Sequence, residues 1–371
     1  MSPRSLRRGI ALSLVVPVLL AACSAPGADP SSASAITPAP TPSTQPSPSP
    51  AAAFPVTVTD DEGTTVEIAS EPQVIVSLTP AATETLFDLG AGDRVVATDD
   101  GSDYPEAAAA LPDVASFSAV DVEQVVKLEP DLVVAGGLGF TPADAITQLR
   151  GLDIPVLVVY APSVEGVYKD IELIGTATGT SEAAKALTAA MAAEIDAISA
   201  AVAAAGTAPR VFYEIGYDAT TGAIFAPAAD SFVAEMVTLA GGDTITTGDP
   251  DTYEIALEKL IEQDPEIIVL GVNPFYEPTP KEVAVRPGWN VMTAVKNDDV
   301  RTVRDTEITR PGPRLPLGLR NLATTIRPDV TLPAAPLGPW QSVRSHPTLD
   351  PASLPGSAAG RSSSVWSPRS S

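Results

Sequence analysis

Cysteine and histidine are almost missing from this chain: its 371 residues hold one of each. A single Cys cannot form an intramolecular disulfide, and with one His it cannot assemble a Cys/His metal cage. Capture of bare Zn²⁺ or Mn²⁺ is disfavoured for the same reason, because such sites usually draw on imidazole. The lone His346 lies in the Pro-, Ser-, Ala- and Arg-rich stretch beyond Pro333, so hydrolysis of the Ser-His-acid kind lacks its base. No phosphate-binding P-loop is present, and no G-x-G-x-x-G opens a helix after a strand; "LGAGDRV" has glycines but stands at the wrong end of a helix. Basic charge is scarce too. Lys and Arg number 22 against 46 acids, a formal net charge of −24, which argues against nucleic acid as partner. Carboxylates are plentiful enough for glycoside chemistry, but nothing singles out one pair among them. A secreted α/β hydrolase therefore stays as the alternative to a binding protein without catalytic residues.

What is present begins with an export signal over residues 1–22. Arg4, Arg7 and Arg8 precede the apolar run "IALSLVVPVLLAA", too short for a comfortable membrane span, which needs about 20 apolar residues. Ala21 and Ala22 lead into Cys23, and "LAAC" resembles the bacterial lipobox, in which the Cys becomes the lipid-modified first residue. Acyl chains contribute about 0.8 kcal/mol per buried methylene, so Cys23 is expected to tether the mature chain to the outer face of the cell membrane. Residues 23–53 then read as a spacer. Dominated by Ser, Pro, Ala and Thr, they cannot build a core, and Ser24 to Ala53 reaches at most on the order of 90 Å.

The folded body repeats itself. "VEQVVKLEPDLVVAGG" begins at Val122 and "LEKLIEQDPEIIVLGV" at Leu257; in each, a Glu stands seven residues before a Pro, and an acid and an apolar run ending in Gly follow. Each copy reads as a short helix, stopped by Pro, feeding a buried parallel strand. Two similar α/β lobes are the natural reading, although helix-Pro-strand junctions also recur by chance. The first lobe is expected over 54–165, opening with a hairpin around Asp61-Glu62-Gly63 and continuing with strands at 74–77, 94–97, 132–135 and 156–160. A helical segment over 166–206 contains "TSEAAKALTAAMAAEIDAISAAVAAAG", whose Ala-rich composition and stripe of Leu187, Met191, Ile195, Ile198 and Val202 predict a helix from Ser181 to Ala205. It would span roughly 38 Å, the length of a strut between lobes or of a long surface helix. The second lobe, 207–332, carries "PRVFYEI" as a strand, a helix over 230–240, a strand at 267–270 and a last helix over 315–326. Residues 333–371 read as a disordered tail.

"VIVSLTPAATETLFDLGAGDRVVATDDGSDYP", the paired Glu-to-Pro repeats and "RPGWNVMTAVKNDDVRTV…RPGPRL" together resemble the substrate-binding lipoproteins of ABC importers for metal chelates: vitamin B12, ferric siderophores and haem. The resemblance covers about residues 55–330 and implies two α/β lobes bridged by one long backbone helix with modest hinge motion. It implies a monomer that presents Glu123 and Glu258, one from each lobe, to an Arg-lined dimeric ABC permease. An acid in the first turn of a helix is also favoured by the dipole, by about 0.3–1 kcal/mol, and both roles can hold together. "SDYP" is closer to the vitamin B12 binders, which implies cobalamin or another corrinoid as ligand. By position Tyr104, Phe117 and Phe225 fall on ligand-contacting aromatics, whose flat apolar rings suit a corrin or porphyrin. Two aromatics of the pattern are missing: Gly136 replaces one, and Thr252 another, with Tyr253 adjacent. A ferric siderophore would instead look to Arg310 and Arg314, and haem to Tyr104, Tyr160, Tyr217 or Tyr253. No catalytic residue, catalytic cofactor or protein metal site is expected.

Overall fold

The computed structural model describes residues 54–334 apart from Phe117 and Phe275. The signal, Cys23, the spacer, Phe117 and nearly all of the tail with His346 lie outside the described residues.

The expected hairpin forms from β1 (Val56–Thr59) and β2 (Thr65–Ile68). Its buried residues alternate with exposed ones, as in a strand pair covered on one face. The first lobe follows with β3 (Ile75–Ser77), α1 (Pro80–Asp88), β4 (Val95–Asp99), β5 (Asp113–Ser116), β6 (Ala119–Val120), α2 (Val122–Lys127), β7 (Leu132–Gly136), α3 (Ala143–Arg150) and β8 (Val156–Val159). These strands form a sheet of order β6-β5-β4-β3-β7-β8, parallel except for the β5–β6 pair. Two helices come next, α4 (Val164–Ala177) and the long α5 (Ser181–Ala203). Thr79 and Ser163 cap α1 and α4 with their side chains.

The second lobe comprises β9 (Arg210–Glu214), β10 (Gly216–Tyr217), β11 (Ile224–Phe225), α6 (Phe232–Leu239), β12 (Asp243–Ile245), β13 (Glu254–Ile255), α7 (Leu257–Gln263), β14 (Ile267–Val272), α8 (Pro280–Ala284), α9 (Thr293–Lys296), β15 (Val300–Arg304), α10 (Thr306–Thr309) and α11 (Leu315–Ile326). Its main sheet, β12-β9-β14-β15, is parallel throughout, and β10-β11-β13 form a small antiparallel sheet beside it.

Strand alternation explains how one helix joins the lobes. In the first lobe Val76, Val133, Ala135, Val156 and Val158 face one core with α2 and α3, while Ile75, Leu132, Val134 and Leu157 face another. In the second, Phe212, Ile268 and Leu270 face an outer core, while Val211, Tyr213, Ile267 and Val269 join the same inner core as the first lobe. That shared core runs through Leu187, Met191, Ile195, Ile198 and Val202, the stripe of α5, which packs on α4, α6 and α11. By length and a mean hydropathy of 1.5, Ser181–Ala203 would also pass for a membrane span, but its apolar stripe is buried in protein. With apolar packing continuous through the bridge, a large swing of one lobe would expose core; a small rotation would not.

Candidate functional site

The repeated motif folds the same way twice. In each copy a helix (α2, α7) ends in an acid of left-handed backbone just before the Pro: Glu129 with φ 48° and Asp264 with φ 42°. The acid after each Pro reaches the start of the neighbouring strand. Asp131 accepts the Gln73 and Val74 amides at 2.8 and 3.0 Å, leading into β3, and Glu266 accepts the Arg210 amide of β9 at 3.0 Å. These carboxylates satisfy strand-end donors that the ladders leave open. Because α2 and α7 run back against β7 and β14, their N-termini stand at the edge where the parallel strands end, the edge at which open α/β sheets hold ligands. Glu123 and Glu258 occupy those first turns, both exposed. The copies differ in their caps: Asp121 accepts the Gln124 amide at 3.0 Å, while Ala256 offers no side-chain cap. Glu123 also borders a surface concavity of about 410 Å³ lined by Asp121, Pro142, Asp144 and Gln148.

Rings gather at the same edge. Tyr104 follows β4, Phe140 follows β7, and Tyr160 follows β8. The Phe140 and Tyr160 rings lie 6.4 Å apart and tilted, with Phe140 half exposed at 53%. Here the gap at Gly136 is explained. A Cβ on Gly136 would stand 2.8 Å from the Cβ of Phe140 and 2.6 Å from Thr79, so a larger residue there would displace Phe140. The space beside position 136 is taken by the Phe140 side chain, four residues on. Burial first, and Tyr253 of the other lobe second, push the Tyr160 hydroxyl up. Tyr253 enters β13 and pairs through its carbonyl with the Ala226 amide at 2.8 Å. Phe225 lies beside it on β11, on the face opposite the buried Ile224, with its ring over Gly216. Phe117 is outside the described residues.

Arg310 and Arg314 have partners within the protein. Glu84 of α1 receives Arg314 at 2.6 and 2.8 Å and Arg310 at 3.1 Å, so one carboxylate of the first lobe holds two guanidiniums of the second. Arg310 further reaches Asp103 at 2.7 Å and the Gly101 carbonyl at 3.1 Å. The Arg314 guanidinium lies 4.5 Å from the centre of the Tyr104 ring, a cation–π contact. Burial and the Glu84 charge push Asp88 up to about 6, against the pull of Arg314. A second tie between lobes runs from Glu235 of α6 to the Val164 amide that opens α4, at 2.8 Å. Arg310 thus sits at the lobe junction as a clasp, a role that no spacing in the sequence signals because its partner lies over 200 residues away.

The second lobe buries its own polar cluster. Glu214, at the end of β9, pairs with Arg286 and accepts the Tyr276 hydroxyl at 2.5 Å. The Arg286 guanidinium is stacked 3.9 Å from the Tyr217 ring and 4.6 Å from Trp289.

Two α/β lobes joined by a long helix define the architecture, and the comparisons identify its family. The Periplasmic binding protein family matches residues 75–306, and the chain belongs to that family, whose work is solute binding in transport. An uncharacterized ABC transporter substrate-binding lipoprotein, YvrC of Bacillus subtilis, is 35% identical over 74% of this chain and 87% of its own length. The cobalamin-binding protein of Halobacterium salinarum is 32% identical over 71% of this chain and 72% of its own. Among solved structures, the periplasmic heme-binding protein RhuT of Roseiflexus, 23% identical, superposes with a TM-score of 0.61 over 68% of this chain and 97% of its own, a likeness of fold.

Proposed function

We propose that the protein is a lipid-anchored, extracytoplasmic receptor that captures a bulky metal chelate between its lobes and hands it to a dimeric ABC permease. Cobalamin or another corrinoid is the ligand that the relatives favour, since one at 32% identity over most of this chain is named for cobalamin. The observation that carries the reading is the pair of exposed glutamates, Glu123 and Glu258, in the same turn of the same motif at the ligand edge of each lobe. Each meets one Arg-lined pocket of a two-fold permease. Between them Tyr104, Phe140, Tyr160, Phe225 and Tyr253 offer flat surface to a macrocycle. Arg310 holds the lobes at the mouth and turns to the ligand only where the chelate is anionic. Haem is the second reading, favoured by partly exposed phenols at the ligand edge, Tyr104, Tyr160 and Tyr253, that suit ferric iron.

The double variant Glu123→Arg, Glu258→Arg tests the docking. Uptake by cells is expected to vanish while the purified protein keeps its ligand affinity; affinity lost together with uptake would reject the assignment. Cys23→Ser is expected to release the protein from membranes, and continued detergent-dependent fractionation would reject the anchor.

A further inference from the structure

Arg310 is the cation that an anionic chelate would seek at the lobe junction, yet the first lobe already surrounds it with acceptors. Glu84 of α1 lies at 3.1 Å, the Asp103 carboxylate at 2.7 Å and the Gly101 carbonyl at 3.1 Å. Arg314 is matched as fully, by Glu84 at 2.6 Å and Glu307 at 3.1 Å, and Arg304 also reaches Glu307 at 3.1 Å. Neither guanidinium at the junction stands without a carboxylate.

These acids differ in where they face. The Glu84 and Glu307 side chains are 1% and 3% exposed, whereas that of Asp103 is 57% exposed. Glu84 holds Arg310 from the protein side and Asp103 holds it from the solvent side. The place that a ligand's anion would take on Arg310 is filled by Asp103.

The turn that carries Asp103 is itself fixed. Asp99, at the end of β4, accepts the Gly101 amide at 3.1 Å and the Ser102 hydroxyl at 2.5 Å. The Ser102 hydroxyl lies 2.8 Å from that of Thr83, the neighbour of Glu84 on α1, and Thr83 donates to Ser77 at 2.8 Å. Ser77, Thr83, Asp99 and Ser102 are all buried, so water competes little for these bonds. Asp103 and Glu84 are thereby mounted on one frame, spaced to take a single guanidinium between them.

We propose that Asp103 is a specificity-determining residue that turns the cleft against anionic chelates and toward uncharged ones, a corrinoid carrying amides rather than a porphyrin carrying free carboxylates. Its role rests on the receptor reading above. An anionic group at this mouth must either displace Asp103 from Arg310, leaving that carboxylate without its partner, or lie beside carboxylates whose counter-ions are already engaged. An uncharged chelate meets neither obstacle. Repulsion of the wrong ligand is a general route to specificity, and the chain's net charge of −24 works in the same direction.

Paired ligands that share a ring and differ in charge test this on the purified protein. Cyanocobalamin, uncharged overall, is titrated beside its monocarboxylate, made by hydrolysing one side-chain amide, and hemin dimethyl ester beside hemin. Wild type is expected to bind the member with fewer carboxylates about fivefold more tightly, the upper range for an exposed ion pair. Asp103→Asn, which keeps the shape of the side chain and removes its charge, brings the two members within about twofold. Adding Arg310→Gln to Asp103→Asn restores the gap, because the gain runs through that guanidinium. A merely structural role for Asp103 would weaken both members alike and leave their ratio unchanged. That result would overturn the proposal and spare the receptor reading, as would equal binding of both members by wild type. Binding of none of the four compounds by either protein would overturn the receptor reading and the charge selection with it.

Discussion

The two lobes share a motif and a core, and both leave rings partly exposed, but the second also encloses Phe212, Tyr213 and Trp289 completely. At the strand-end edge of the first lobe, Tyr104, Phe140 and Tyr160 stay partly exposed. In the second, Tyr213 is fully buried with its hydroxyl on Asp305, while Tyr217 and Trp289, edge to face with one another, both contact Arg286, which Glu214 neutralises. Burial alone would lower the Arg286 pKa; the Glu214 hydrogen bonds and charge outweigh it and raise it. A ring's role here is set by what it touches. Against Arg286 it completes a buried ion pair, and beside glycines at a strand end it stays partly exposed.

That contrast fails if variants in the two lobes behave alike. The largest effect is expected from Glu214→Ala, which strands a buried guanidinium and should cost about 3–5 kcal/mol of stability, measured by chemical denaturation. A loss near zero would mean that Arg286 finds water. Next, Phe140→Ala should leave stability nearly unchanged and weaken the ligand about tenfold, about 1.4 kcal/mol, in a binding titration. Unchanged binding would remove Phe140 from the wall. Smallest is Asp88→Asn. The folded pKa of Asp88, about 6, lies above its ordinary 3.8, so its contribution to stability is full below 3.8 and is lost as pH rises through 6. Asp88→Asn should therefore gain on wild type across that window and hold a constant lead above it; a lead that does not change with pH would contradict the burial of Asp88.

The repeat was readable because its parts are close in sequence: Glu, Pro, acid and apolar run fall within one window, and the structure returns a helix and a parallel strand from each. The stripe of α5 was readable for the same reason, with its end at Ala203 rather than Ala205. What was hidden depends on distance along the chain. Nothing local tells that Asp131 caps the start of β3 or Glu266 that of β9, nor that Glu84 gathers Arg310 and Arg314. The sheet β10-β11-β13 escaped notice because two-residue strands carry no pattern. Phe140 was missed although its signal was present. The run Gly136-Gly137-Leu138-Gly139 lacks side-chain bulk at the position where a ring was expected, and the next aromatic in line fills the space.

The central claim is that rings from both lobes close on one flat chelate. Its most direct measurement is titration of the purified protein with cyanocobalamin, hemin and a small set of ferric siderophores, repeated with Tyr160→Ala and Tyr253→Ala. The account predicts saturable binding of one chelate per chain, weakened by a change in either lobe. Binding of none of them, or binding that either substitution leaves untouched, would contradict it.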